Sequence, residues 1–164
     1  MQQTYRRISG TSIFILLLIL FTYPLRSQSI VVSEYNYAPD PKNQFTELLV
    51  IQDNLSIAGY TLHDNTANLD QWQSGIRFKD IPLWKNLRGG TIIVINHRTN
   101  GNVIDVSKAD GYIEVEADDL NVFDTLTFPS GDNWKSLSLI ISQNADIVRI
   151  LDASGNHVHA LSHG

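Results

Sequence analysis

The 164-residue chain contains no cysteine. Disulfides therefore cannot staple the fold and no lipid can be attached to an N-terminal cysteine, so stability must come from a packed core. Basic residues are sparse as well, 12 Lys and Arg against 17 Asp and Glu, for a formal charge of −5. The densest basic group, Lys79, Lys85 and Arg88, is scattered over ten positions, too thin for the phosphate contacts that drive sequence-independent nucleic-acid binding. No nucleic-acid partner is expected. The patterns G-x-S-x-G, G-x-x-x-x-G-K-[ST] and G-x-G-x-x-G are all missing, which removes the sequence signals of a nucleophile elbow, a phosphate loop and a dinucleotide fold. The Asp residues concentrate in turns, so a hydrolase built on two carboxylates is not expected either. There is no internal repeat and no low-complexity tract.

Long apolar runs are also lacking, with one exception. Ile13 to Phe21 is a nearly unbroken apolar segment behind Arg6 and Arg7, and Pro24-Leu25-Arg26-Ser27 leads to a small residue before Gln28. The run falls short of the roughly 20 residues a comfortable bilayer span needs. This arrangement predicts a cleaved signal peptide over residues 1–27 and an exported domain over 28–164, secreted or held at the cell surface or in the periplasm. A retained anchor is the alternative; after cleavage no stable membrane span is expected. Cleavage would remove three arginines and no acid, taking the formal charge from −5 to −8.

What the mature part does contain is short β-rich runs separated by turn residues. Ile30 to Tyr37 reads as a first strand closed by Pro39 and Pro41. Phe45 to Ile51 and Ile57 to Asp64 read as a central strand pair around the turn Gln52-Asp53-Asn54, with Leu49, Ile51, Tyr60 and Leu62 on its apolar face. Thr66 to Pro82 reads as a crossing loop with one short strand near Ile76 to Phe78. Thr91 to Ile95, behind Gly89-Gly90, has the profile of a strand buried on both faces. His97 to Ala109 reads as loop with a possible helical turn at Ser107 to Asp110, and Tyr112 to Val115 as a short strand. Phe123, Leu126 and Phe128 are expected to fold back onto the core. Pro129 to Asp132 is a turn signal, and Ser136 to Ser142, Ile147 to Leu151 and His157 to Leu161 read as a three-stranded meander. Roughly eight short strands and no convincing helix predict an all-β fold, an immunoglobulin-like antiparallel β-sandwich. Leu49, Leu62, Val94 and Ile140 are expected to face inward.

Several short patterns carry a family resemblance. Glu34 lies in the first strand, Glu47-Leu48 in the second, and Gly59-Tyr60-x-Leu62-x-Asp64 follows; Gly89-Gly90 precedes a strand, and Leu151-Asp152-x-x-Gly155-x-x-Val158 closes the chain. Together they resemble the lamin-tail domain, found in nuclear lamins and in many secreted bacterial proteins. Tyr60 stands where tryptophan is usual, Ala58 for serine, Arg88 for proline and His159 for aspartate. The resemblance implies an immunoglobulin-like sandwich and a structural part for these motif residues. The resemblance speaks to fold more than to activity; with the catalytic motifs missing, the expectation is a non-enzymatic binding module at the bacterial cell surface, or alternatively an accessory domain or truncated part of a larger secreted hydrolase of nuclease or phosphatase type.

The candidate chemistry is limited. His157 and His159, two apart on a strand, would share a face with His163 beyond, but no carboxylate stands at ligand spacing, so a polar strand face is expected rather than zinc. The oxygen-rich loops Asp64-Asn65-x-x-Asn68-x-Asp70 and Asp118-Asp119-x-Asn121-x-x-Asp124 are weak calcium candidates, Asp64 and Asp70 first. No metal and no cofactor is expected. Glu34 is expected to bond backbone amides or Tyr hydroxyls at a strand end. Recognition of a protein or a cell-surface glycan is expected from the loop Thr66 to Leu83 with Trp72 and Trp84, since exposed aromatics dominate contact energetics; the competing expectation is that both tryptophans are core.

Overall fold

The computed structural model describes residues 28–69, 71–98, 104–126 and 135–164. The expected signal peptide, Asp70, Phe128 and the turn at Pro129 to Asp132 lie outside them. Among the described residues the protein is an all-β, immunoglobulin-like sandwich of two sheets. Ten strands follow in chain order: β1 (Ile30–Asn36), β2 (Phe45–Val50), β3 (Thr61–Asn65), β4 (Trp72–Phe78), β5 (Ile92–Asn96), β6 (Tyr112–Glu116), β7 (Phe123–Asp124), β8 (Lys135–Ser136), β9 (Asp146–Leu151) and β10 (His157–His163). One sheet runs β1-β2-β5-β6 and the other β10-β9-β3-β4-β7, with β8 pairing β4. Pairing is antiparallel except for β5–β6 and β4–β8, which are parallel, so the sandwich is not antiparallel throughout. Among the described residues the only helices are single 3-10 turns at Pro41–Asn43 and Pro82–Trp84; the helical turn expected at Ser107 to Asp110 is absent. No described helix is long and apolar enough to cross a membrane.

The expected central strand pair does not form. β2 pairs with β1 and β5, whereas β3 pairs with β4 and β9. The turn at Gln52 to Asn54, where Asn54 takes φ 57°, carries the chain from one sheet to the other. Residues 57–60 are not strand but a bridge between layers: Ile57 is fully buried and Gly59 N–H donates to Phe78 O at 2.7 Å.

Facing was misjudged by one residue on two strands. Leu48, Val50, Ile93 and Ile95 are buried, while Leu49 and Val94 lie half-buried on the outer face and Ile51 is 50% exposed. A slip of one residue exchanges every side chain between faces. Runs such as Leu48-Leu49-Val50-Ile51 are apolar on both parities, so alternation could not choose; the parity of Glu47 could have, because it points Leu49 and Ile51 outward with it. Leu62 is core as expected.

β4 replaces most of the expected crossing loop. Ser74-Gly75 interrupts its apolar pattern, yet pairing on both sides holds the strand together. In contrast, residues 137–142 do not form the expected strand, and there is no three-stranded meander; only β9 and β10 pair as a hairpin. Side chains satisfy that segment's backbone instead: Gln44 both donates to Ile141 O and accepts from Ile141 N–H at 2.9 Å, and Asp64 Oδ2 accepts from Ile140 N–H at 3.1 Å. Such bonds compete with a ladder. Leu139 and Ile141 enter the core and Ile140 is only half-buried.

The core between the sheets ends in an aromatic cluster. Trp84 meets Phe78 edge-on at 5.1 Å and stacks on Phe123 at 5.8 Å, and its indole N–H donates to Val122 O at 2.8 Å. Phe123 and Leu126 do fold back onto the body as expected.

Candidate functional site

The outer face of the six-stranded sheet gathers the chemistry. Alternation along β3 sends Leu62 and Asp64 inward, both fully buried, and Thr61 and His63 outward. Across the pairing, His63 lies opposite Arg149 of β9 on one side and Gly75 of β4 on the other, while Thr61 lies opposite Arg77. A bulge completes the arrangement: Asp64 pairs with Ser74 but Asn65 pairs with Trp72, so Gln73 is the extra residue. Bulges re-aim side chains. Here Gln73 reaches Asp64 Oδ2 at 3.0 Å, and Trp72 comes to the outer face beside His63, ring centroids 6.3 Å apart, with the Arg149 guanidinium 3.5 Å over its ring.

A cleft of about 460 Å³ lies on this face, lined by Thr61, His63 and Arg77, flanked by Leu126 and walled by the turn at Asp152 to Gly155. Gly75, opposite His63, has no room for a side chain. A Cβ there would stand 2.8 Å from Leu62 O and 3.0 Å from Leu126 Cδ1, closer than real side chains pack. His63 is held neutral, its imidazole pushed down to about 4 by burial and by the Arg149 and Arg77 guanidinium groups. Its Nε2 lies 2.9 Å from Thr61 Oγ1.

The motif residues divide between places. Gly59, Asp152 and Gly155 converge at one end of the cleft. Asp152 Oδ1 accepts from Ser154 and Asn156 N–H at 2.8 Å each, and Gly155 takes φ 81°, so this turn is locked by its own side chain and glycine. Gly59, at φ 80°, lies against Ala153 of that turn. Tyr60 packs against the core. Gly89 and Gly90 sit at the far end, where Gly89 N–H donates to Asp53 Oδ1 at 2.8 Å. Glu34 and Glu47 belong to the other sheet, opposite one another at a bulge in β1. Glu34 is exposed rather than bonded to backbone or tyrosine; it is Glu47 that accepts, from Ser33 Oγ at 2.7 Å.

Trp84 is fully buried and therefore core, not a ligand contact; of the two tryptophans only Trp72 lies on the outer face, beside His63 but outside the cleft's own lining. Asp64 is not poised for calcium. It is sealed in the core, accepting from Ser74 Oγ, Gln73 Nε2 and Ile140 N–H, and burial raises its pKa to about 7. In the second acidic loop, Asp119 caps Asn121 N–H at 2.8 Å and Asp124 faces Lys79. The β10 histidines do not share a site either, because a bulge intervenes between His157 and His159. His159 Nδ1 accepts from Val32 N–H at 3.1 Å and His163 Nδ1 lies 2.6 Å from Tyr35 Oη, tying β10 to β1 across the layers. Among the described residues no group of three or more His, Asp or Glu could hold a metal ion.

A second cleft, about 530 Å³ and mostly apolar, lies at one end between Ile81, Leu83, Val106 and Val122. Lys108 Nζ borders it and donates to Pro82 O and Lys85 O at 2.8 Å.

Thr61, His63, Gly75, Arg77 and Arg149 were not legible as a site. Each is unremarkable in its own strand; only strand order brings them together. The parity of Arg149 between the buried Val148 and Ile150 was the one available signal, placing a cation on an outer face. Compared with known proteins, the chain matches no family model, and no curated protein matches it.

Proposed function

We propose that the chain is an exported, non-enzymatic binding module of lamin-tail type that acts at the bacterial cell surface, recognising a glycan or a protein there through the outer face of its six-stranded sheet. The observation that carries this reading is the convergence of Trp72, Arg149, His63 and Arg77, from three strands, beside a cleft that His63 and Arg77 line. Groups fixed on paired strands are pre-organised, which lowers the ordering cost of binding. An aromatic with a guanidinium over it is the kind of anchor that dominates interface energetics. Export is supported by Arg6, Arg7 and the apolar run to Phe21. The resemblance to lamin tails rests on the Gly59 to Asp64 and Asp152 to Gly155 motifs, two parts of which meet at this cleft.

The test is co-sedimentation of the mature chain with bacterial envelopes. Trp72→Ala and Arg149→Met, each checked for an intact fold by its near-ultraviolet spectrum, are expected to bind at least about tenfold more weakly, the loss typical of one anchor residue of 1.4 kcal/mol or more. Undiminished sedimentation of both folded variants would remove this face as the recognition surface.

A further inference from the structure

Resting on that reading, we infer that this face takes an acidic saccharide, its ring in the cleft and its carboxylate or sulfate over His63, between Arg77 of the cleft lining and Arg149, which lies outside that lining and opposite His63 on β9.

The charges make the first argument. On a chain with a net surplus of acid, other cations near the sheets have partners: Lys79 faces Asp124 at 3.8 Å, Lys85 pairs with Asp80, and Arg88 reaches the Asp110 backbone O at 3.5 Å. Arg77 and Arg149 have no acidic partner among the described residues. The Arg149 guanidinium carbon lies 3.5 Å from the Trp72 ring centroid, and its Nε is a buried donor without an acceptor among the described residues. Buried donors are nearly always satisfied, so an unpaired one calls for a partner such as a water, an ion or a ligand group. A guanidinium offers a planar fork that fits a carboxylate or sulfate edge. Two acids lie nearby, and each is already engaged. Asp124, opposite Arg77 in the β4–β7 pair, is turned to Lys79, and Asp152 caps its own turn.

The fold makes the second. β3 lies between β4 and β9, so its backbone groups are paired on both edges. A peptide strand cannot add here, since that mode needs an unpaired edge. Recognition must come from side chains, and those present suit a sugar: Thr61 hydroxyl and His63 imidazole for ring hydroxyls, Leu126 and Ala153 for its C–H face. The volume, about 460 Å³, is within the range of small-ligand sites. His63 supplies a reporter: burial first and the two guanidinium groups second push its imidazole down to about 4, and an anion between those groups is expected to offset their part of the push.

The experiment titrates the folded chain with trigalacturonate, with its fully methyl-esterified form and with inorganic phosphate, reading affinity by calorimetry and His63 by proton NMR over pH. Trigalacturonate is expected to bind, with esterification, Arg77→Gln and Arg149→Gln each weakening it at least tenfold, and to shift the His63 titration upward. Arg77 is exposed, so its variant keeps the test decisive should Arg149→Gln not fold. Equal binding of the ester, abolished by Trp72→Ala, would overturn the acid assignment and leave the binding-module reading standing. No binding of trigalacturonate, or phosphate shifting His63 as strongly on its own, would overturn the inference as well.

Discussion

Trp84→Ala is expected to remove about 3 to 5 kcal/mol of folding stability, the range for emptying a fully buried large aromatic site. Trp84 has no exposed surface and anchors the contact with Phe78 and Phe123. With typical domains worth only 5–15 kcal/mol and no disulfide to hold the chain, the variant should unfold at a much lower urea concentration or fail to accumulate folded. Trp84→Phe should be far milder, because it keeps ring packing and because Val122 O still accepts from Lys79 N–H at 3.1 Å. Urea midpoints measured for both decide it: an unchanged midpoint for Trp84→Ala would mean that Trp84 is a surface residue after all.

Asp64→Ala is expected to be nearly as damaging, about 3 to 4 kcal/mol, because it strips the acceptor from Ser74 Oγ, Gln73 Nε2 and Ile140 N–H, and each orphaned buried donor costs about 1–3 kcal/mol. These bonds join β3 and β4 to the irregular segment 137–142. Asp64→Asn adds a test of pH. Burial lifts the Asp64 pKa to about 7 from an ordinary 3.8, with Asp146 adding to the rise. A folded pKa above the unfolded one means that the native state holds the extra proton, so this contribution is complete below about pH 4 and is lost as pH climbs toward 7. The stability difference between wild type and Asp64→Asn should therefore be largest near pH 4 and shrink toward pH 7, by up to roughly 4 kcal/mol at 1.36 kcal/mol per pKa unit. His63 and His97, depressed to about 4 and about 3 chiefly by burial, run the other way, losing stability as pH falls below 6.5. They are common to both proteins and cancel in the difference. A difference that grows with pH would show Asp64 to be ionised in the folded state throughout.

What the sequence disclosed follows from what local pattern can encode. Fold class was legible because strand-length apolar runs and turn residues such as Ser154-Gly155-Asn156 are local features, and the Asp152 to Gly155 turn formed as its side chains dictate. Strand partners were not, because Gln52 to Asn54 reads the same whether it closes a hairpin or changes sheets. Facing failed for Leu49 and Val94, where both parities are apolar, and held for Leu62, whose neighbours Thr61 and His63 are polar. The segment 137–142 alternated like a strand but was claimed by Asp64, Gln44 and Gln73, partners far away in the chain. The cleft was hidden for the same reason as the strand partners: Arg77 and Arg149 are 72 positions apart and meet His63 only through the order β9-β3-β4. A bulge at Gln73, invisible in composition, then decided which way Trp72 points.

The claim that recognition lies on the six-stranded sheet's outer face is tested most directly by hydroxyl-radical footprinting of the chain free and bound to bacterial envelopes. Protection is expected at Trp72 and Arg77, while Tyr112 on the other sheet and Val106 and Leu120 at the apolar end, all exposed, keep their reactivity. Protection of Val106 and Leu120, or of Tyr112, with Trp72 and Arg77 as reactive bound as free, would contradict it.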